Sequence, residues 1–246
     1  MKKPLIYILF FDLIFVFFLS VSGSLGGILG KTFYYIAFLL PIALALLTLK
    51  SKAVEAYPIK LNISRKDLEL TLPCIAPLLA LVFLISWLTT LILSHFGEGS
   101  TTDVSGNLAR VIFTHALVTA ALEEVLFRYI PLTYLAPYSK RMTVLISALL
   151  FAFVHGNIYQ IPYAFAAGAV FAVIDIAFDS VAPSFVIHFA NNTASIFWLR
   201  YGGEGRFATV YVIVLVSAAL LSLVPIFLAR EKYKAKIVGA FYENER

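Results

Sequence analysis

The sequence has little charge and almost no cysteine. Charged residues make up 13% of the 246 residues and hydrophobic residues 61%, whereas soluble domains carry about 25% charged residues. A soluble core of this size cannot enclose so much apolar surface, which excludes a soluble globular protein. The single cysteine, Cys74, excludes an intramolecular disulfide and leaves no basis for a cysteine-based zinc site.

The sequence consists largely of long apolar segments. A membrane-spanning helix needs about 20 mostly apolar residues. The candidate spans, of which the fifth and sixth are short, are Leu5–Val21, Thr32–Leu49, Leu70–Phe96, Leu108–Ala136, Met142–His155, Ile161–Phe178, Val181–Leu199 and Thr209–Ala229. The sequence therefore predicts an all-α polytopic membrane protein, with about eight transmembrane helices around a polar cavity. We expect one transmembrane domain over residues 1–246.

The distribution of basic residues predicts the orientation. If the N-terminus lies inside, fourteen of the 19 Lys and Arg residues fall on the inner side and four on the outer side, with Arg128 inside a helix. Cytoplasmic loops carry the excess of basic residues, so both termini are predicted to be cytoplasmic. The net charge of +5 has the same explanation, and no nucleic-acid partner is expected.

Ionisable residues within the predicted spans are concentrated in one part of the chain. Such residues are functional candidates because lipid makes them unfavourable. Glu124 and Arg128 are four residues apart, so they share a helix face and can form an ion pair. Glu123 is rotated by about 100° from Glu124 around the helix. It therefore does not share Arg128 equally, and its carboxylate is predicted to be available for chemistry.

Two histidines complete the set of candidates. His188 and Asn192 are four residues apart and share a face of the seventh span. The turn after the fourth span is centred near Ser139, with Glu123 and His155 about 16 residues on either side, roughly 24 Å away at 1.5 Å per residue. An antiparallel hairpin would place Glu123 and His155 at similar depth, and we expect them to be partners.

These residue types suit hydrolysis of an amide bond by water. A carboxylate in a site of low dielectric constant can act as a general base, with an imidazole to share the proton and orient the water. A second imidazole and a carboxamide can donate hydrogen bonds to the oxyanion. No serine or cysteine is an obvious nucleophile.

Other interpretations stay open at this point. Glu123, His155 and His188 could instead be zinc ligands, and buried Glu and His residues can also relay protons in a carrier. His115 could pack or line the rim of the cavity. Asp12 is expected to pair with another helix or line a cavity, and no chemistry is assigned to Asp175.

The motifs resemble those of a known family. Glu123-Glu124-x-x-x-Arg128, Phe151-x-x-x-His155 and His188-x-x-x-Asn192, in that order, look like the CAAX protease and bacteriocin-processing (Abi) family. The resemblance covers about Leu108–Arg200, and it implies an intramembrane glutamate protease with its catalytic core at about 108–200.

The resemblance also implies roles for individual residues. Glu123 and His155 would activate water, His188 and Asn192 would form the oxyanion site, and Glu124 and Arg128 would support them, with no metal or other cofactor. The implied substrate is a prenylated CAAX-type peptide or another membrane-proximal peptide, and the implied surroundings are membrane lipid. A non-enzymatic role of the bacteriocin-immunity type is the alternative.

Overall fold

The computed structural model describes residues 4–52, 56–93, 103–202 and 205–243. The regular structure in this part of the chain is helical, apart from one isolated bridge between Lys60 and Ser180, which confirms the all-α prediction. The helices are α1 Pro4–Ser24, α2 Gly27–Lys50, α3 Arg65–Leu93, α4 at residues 108–134, α5 Lys140–Phe153, α6 Ile161–Phe178, α7 Ala182–Tyr201, α8 Gly205–Leu228 and α9 Arg230–Val238.

Each of the eight predicted spans overlaps one of α1 to α8. Five of these helices, α1, α2, α3, α6 and α8, are long and apolar enough to cross a membrane. Helix α5 has only 14 residues, and α4 and α7 carry the polar residues of the motifs, so the total number of crossings stays a prediction. The end of the third predicted span, residues 94–96, lies outside the described residues.

Large apolar side chains cover the outside of the helical bundle. Leu13 is 69% exposed and Leu221 is 72% exposed, and many Leu, Ile, Val and Phe side chains on α1, α2, α3 and α8 are also exposed. An apolar surface of this extent suits contact with lipid tails rather than water. Together with the five apolar helices, it makes the chain an integral membrane protein.

Helix α4 contains two wide turns of π type, at Ile112–Val118 and Val125–Tyr129. The second one lies just before Pro131, which has no N–H to donate to the carbonyl of Phe127 four residues earlier. That carbonyl instead accepts hydrogen bonds from Ser147 Oγ at 2.6 Å and Arg128 Nη1 at 3.0 Å. Wide turns of this kind are often found at functional sites, and these two flank Glu123 and Glu124.

An aromatic core joins α4 to the first two helices. The ring of Phe15 on α1 lies edge-on to Phe127 on α4 at 5.3 Å and to Phe38 on α2 at 4.9 Å. Phe151 on α5 lies 6.1 Å from Phe127. All four side chains are at most 3% exposed. Edge-to-face contacts of this kind stabilise aromatic cores beyond the area that they bury.

The segment at residues 56–64 runs across the ends of α4 and α6. The Lys60 N–H donates to the carbonyl of Asp179, and the Lys60 carbonyl accepts from the Val181 N–H at 3.0 Å. The Lys60 side chain also forms an exposed ion pair with Asp179 at 2.8 Å, and this hydrogen bond and the negative charge of Asp179 raise the pKa of Lys60. These contacts fix the turn between α6 and α7.

The basic C-terminal segment forms helix α9, which the sequence did not predict. Tyr233 donates a hydrogen bond to the carbonyl of Leu70 at 2.6 Å, and Lys236 pairs with Asp67 at 2.9 Å. Asp67 lies in the first turn of α3, whose N-cap is Ser64, since Ser64 Oγ accepts from the Asp67 N–H at 3.1 Å. Helix α9 therefore packs against the start of α3.

Candidate active site

A cavity of about 430 Å³ opens among α4, α5, α6 and α7. The four predicted catalytic side chains all line it: Glu123, His155, His188 and Asn192. His115, which could have packed elsewhere, also lines this cavity. The polar residues of three separate motifs are therefore brought together around one space.

Glu124 and Arg128 form the buried ion pair that their spacing predicts. Arg128 Nε lies 3.8 Å from Glu124 Oε2, and the two side chains are 0% and 2% exposed. The guanidinium also lies over the ring of Phe151, 4.2 Å from its centroid, and 5.7 Å from that of Phe171. Arg128 is therefore held by a carboxylate, by the carbonyl of Phe127 and by two aromatic faces.

His188 lies between the two carboxylates. Its Nδ1 is 2.7 Å from Glu124 Oε1, and its Nε2 is 3.4 Å from Glu123 Oε2. A carboxylate oxygen accepts hydrogen bonds, so Nδ1 is the ring nitrogen that donates to Glu124. Glu123 is 16% exposed, whereas Glu124 is 2% exposed. The division of the pair into a buried carboxylate and an accessible one thus agrees with the sequence prediction.

His155 lies just after the end of α5, where Gly156 adopts a positive φ of 60°. Its Nδ1 donates to the carbonyl of Phe151 at 2.7 Å, which leaves Nε2 as the nitrogen with a free lone pair in the neutral ring. His155 was expected to be the partner of Glu123, but in the structure the imidazole within ion-pair distance of Glu123 is that of His188. The hairpin arithmetic considered α4 and α5 alone and could not place α7.

Two polar residues at the site were not predicted. Ser184 is fully buried, and its Oγ donates to Glu124 Oε2 at 2.7 Å. Asp175 is also fully buried, and its Oδ1 accepts from the Ser184 N–H at 3.2 Å. One signal for Ser184 was present in the sequence, because Ser184, His188 and Asn192 recur at intervals of four and so share one helix face.

The metal-dependent interpretation needs three suitable ligands in one place. Among the residues that the structure describes, no group of three or more His, Cys, Asp or Glu side chains is arranged to hold a metal ion. Glu123 and His188 are close together, but His155 does not join them at ligand distances.

The site thus combines carboxylates, imidazoles and a carboxamide around one cavity of a helical membrane bundle. Residues 105–194 match the family model described as "Rce1-like: Type II CAAX prenyl endopeptidase Rce1-like". This segment contains all three motifs and is similar to that peptidase family, in agreement with the resemblance that the motifs indicate. No curated protein and no solved structure matches the chain.

Proposed function

We propose that the chain is an intramembrane endopeptidase that cleaves near the C-terminus of a prenylated CAAX-type peptide or another membrane-associated peptide. The observation that carries this proposal is the common cavity of Glu123, His155, His188 and Asn192. The match of residues 105–194 to a CAAX prenyl endopeptidase family supports the substrate class.

In the proposed mechanism, Glu123 is the general base. Its carboxylate is accessible from the cavity, while Glu124 is committed to Arg128, His188 and Ser184. Glu123 takes a proton from a water molecule, and Nε2 of His155 accepts a hydrogen bond from that water because its Nδ1 is occupied by the Phe151 carbonyl. The water oxygen then attacks the scissile carbonyl carbon. When the tetrahedral intermediate collapses, the C–N bond breaks and the proton held by Glu123 passes to the leaving amine nitrogen.

The second half of the mechanism concerns the oxyanion. Asn192 has an amide N–H₂ group, and His188 can donate from Nε2 in the doubly protonated ring. Both side chains lie on the cavity-facing side of α7. Preorganised donors of this kind are expected to stabilise the tetrahedral intermediate, and loss of one donor typically lowers the rate by about 10²–10³-fold. Glu124 and Arg128 support this arrangement without contacting the substrate.

The test is cleavage of an internally quenched, farnesylated CAAX peptide by the purified full chain in detergent. Glu123→Gln should lower kcat by about 10²–10⁴-fold, the usual contribution of a general base. Glu69→Gln, which removes an exposed carboxylate paired with Arg65, is the matched control and should cleave like the wild type. Undiminished cleavage by Glu123→Gln would exclude the proposed base.

The same assay separates the remaining alternatives. Cleavage that a strong chelator abolishes and zinc restores would support the metal-dependent interpretation instead. A wild-type chain that cleaves neither farnesylated nor unmodified peptides would favour a non-enzymatic, immunity-type role.

We also propose that both termini face the cytoplasm, as the distribution of basic residues predicts. The packing of the basic helix α9 against the start of α3, through Lys236 and Asp67, supports this by grouping basic segments at one end of the bundle. Reporter fusions at each terminus, active only on one side of the membrane, test the orientation, and a periplasmic or extracytoplasmic signal at either end would contradict it.

A further inference from the structure

Two buried residues outside the three motifs are linked to the carboxylate that holds His188: Ser184 contacts Glu124 directly, and Asp175 contacts Ser184. Asp175 lies near the end of α6 and Ser184 in the first turn of α7, and both are 0% exposed. Neither lines the cavity, so neither can touch a substrate there. Their contacts lead instead from the turn between α6 and α7 to Glu124.

Asp175 supplies a hydrogen bond that the start of α7 lacks. The first N–H groups of a helix have no partner within the helix. At this end, the Ala182 N–H donates to Ser180 Oγ, Pro183 has no N–H, and the Ser184 N–H donates to Asp175 Oδ1 at 3.2 Å. Asp175 thus caps α7 from the neighbouring helix and fixes the backbone position of Ser184.

Ser184, positioned in this way, forms a hydrogen bond to the Glu124 carboxylate. Its Oγ lies 2.7 Å from Glu124 Oε2 and 2.9 Å from the carbonyl of Val181. A hydroxyl has one hydrogen, and a carboxylate is the stronger acceptor of the two. The other oxygen of Glu124 receives Nδ1 of His188 at 2.7 Å. The orientation of the His188 ring therefore depends on a carboxylate that Ser184 holds from the opposite side.

We infer that Asp175 and Ser184 are positioning residues, which fix Glu124 and thereby keep Nδ1 of His188 protonated and its Nε2 directed toward Glu123. Ser184 acts through its hydroxyl, whereas Asp175 acts through the acceptor oxygen that holds the Ser184 backbone. The second carboxylate oxygen of Asp175 has no hydrogen-bond partner among the described residues, so the Oδ1 contact is the one on which this role depends.

Nitrogen NMR of the full chain, labelled with ¹⁵N-histidine in detergent or nanodiscs, tests the inference directly. The His188 ring resonances are assigned by their loss in His188→Gln. Ser184→Ala should move the Nδ1 resonance of His188 toward that of an unprotonated ring nitrogen. The matched control is Thr143→Val, which removes another buried hydroxyl, one on α5 that donates to the Leu135 carbonyl at 3.1 Å, and should leave the His188 resonances in place.

Kinetics gives a second readout, and this part of the inference rests on the proposed function. A hydrogen bond to a charged group contributes about 1.5–3 kcal/mol, so kcat in Ser184→Ala should fall by about 10- to 150-fold with KM little changed. If the wild type does not cleave the farnesylated peptide, the proposed function fails, while the His188 resonances still decide the positioning role.

Asp175 offers a pair of variants that keeps the test decisive if Ser184→Ala does not fold. Asp175→Asn retains an oxygen that can accept from the Ser184 N–H, and it should preserve the His188 resonances and most of kcat. Asp175→Ala removes that acceptor and should reproduce the effects expected of Ser184→Ala. Unchanged His188 resonances in a folded Ser184→Ala or Asp175→Ala protein would overturn the inference.

Discussion

Arg128→Met tests whether burial, rather than distance, determines what an ion pair contributes to this fold. Among the described residues, two Arg–Glu ion pairs have a spacing of four residues. The pair Arg65–Glu69 is the closer one at 3.2 Å, but its side chains are 92% and 62% exposed. The pair Arg128–Glu124 is 3.8 Å apart, and its side chains are 0% and 2% exposed.

The two pairs should respond very differently to loss of the arginine. Removing one partner of a buried pair leaves an uncompensated charge, which destabilises a protein by about 3–5 kcal/mol. An exposed pair at this spacing contributes about 0.3–0.5 kcal/mol. For a chain of this size, 1 kcal/mol shifts Tm by about 2–4 °C, so Arg128→Met should lower Tm by about 6–20 °C and Arg65→Met by no more than about 2 °C.

The assay is thermal unfolding of the purified full chain in detergent, followed by intrinsic tyrosine and tryptophan fluorescence. The double variant Glu124→Gln/Arg128→Met removes both charges, and it should recover part of the stability that Arg128→Met loses, because no unpaired carboxylate remains. Equal shifts in Arg128→Met and Arg65→Met would refute the reasoning, since they would show that the buried pair is worth no more than an exposed one.

Two further substitutions test the packing around this pair. Gly168→Ala places a Cβ 3.2 Å from the α5 backbone and should lower Tm by the equivalent of about 1–3 kcal/mol, whereas Gly26→Ala, where a Cβ meets nothing within 4 Å, should have little effect in the same measurement. Phe151→Leu removes the ring over Arg128, a desolvated contact worth about 2 kcal/mol, and should lower Tm and kcat. The exposed Phe153→Leu is its control, and equal effects of the two leucine variants would contradict this role of the ring.

Much of the fold follows from the sequence because lipid imposes a simple length rule. Apolar segments long enough to span are recognisable without tertiary information, and each predicted segment overlaps an observed helix. Helix α9 was missed because its basic composition carries no apolar signal. The wide turns of α4 were missed as well, since no local sequence period marks them; the second adjoins Pro131, which lacks a backbone donor.

The structure places the four predicted side chains around one cavity, and their catalytic roles stay predictions. Spacing on a single helix was enough to pair Glu124 with Arg128. The contact between Glu123 and His188 depends on how α7 packs against α4, which no spacing along the chain reveals. The pairing of Glu123 with His155 through a water molecule stays a prediction. Ser184 and Asp175 were missed because a serine and an aspartate near a helix end have an ordinary explanation as caps.

The edge-on contact between Phe15 and Phe127 makes α1 part of the folding unit that contains the site. Phe127 lies in the segment that matches the peptidase family, next to Arg128. It is 0% exposed, and part of the surface that covers it comes from Phe15 on α1. A fragment beginning at residue 105 would present this aromatic face to its surroundings without its partners. The segment that matches the family, residues 105–194, is therefore shorter than the part of the chain whose side chains pack around it, which includes α1.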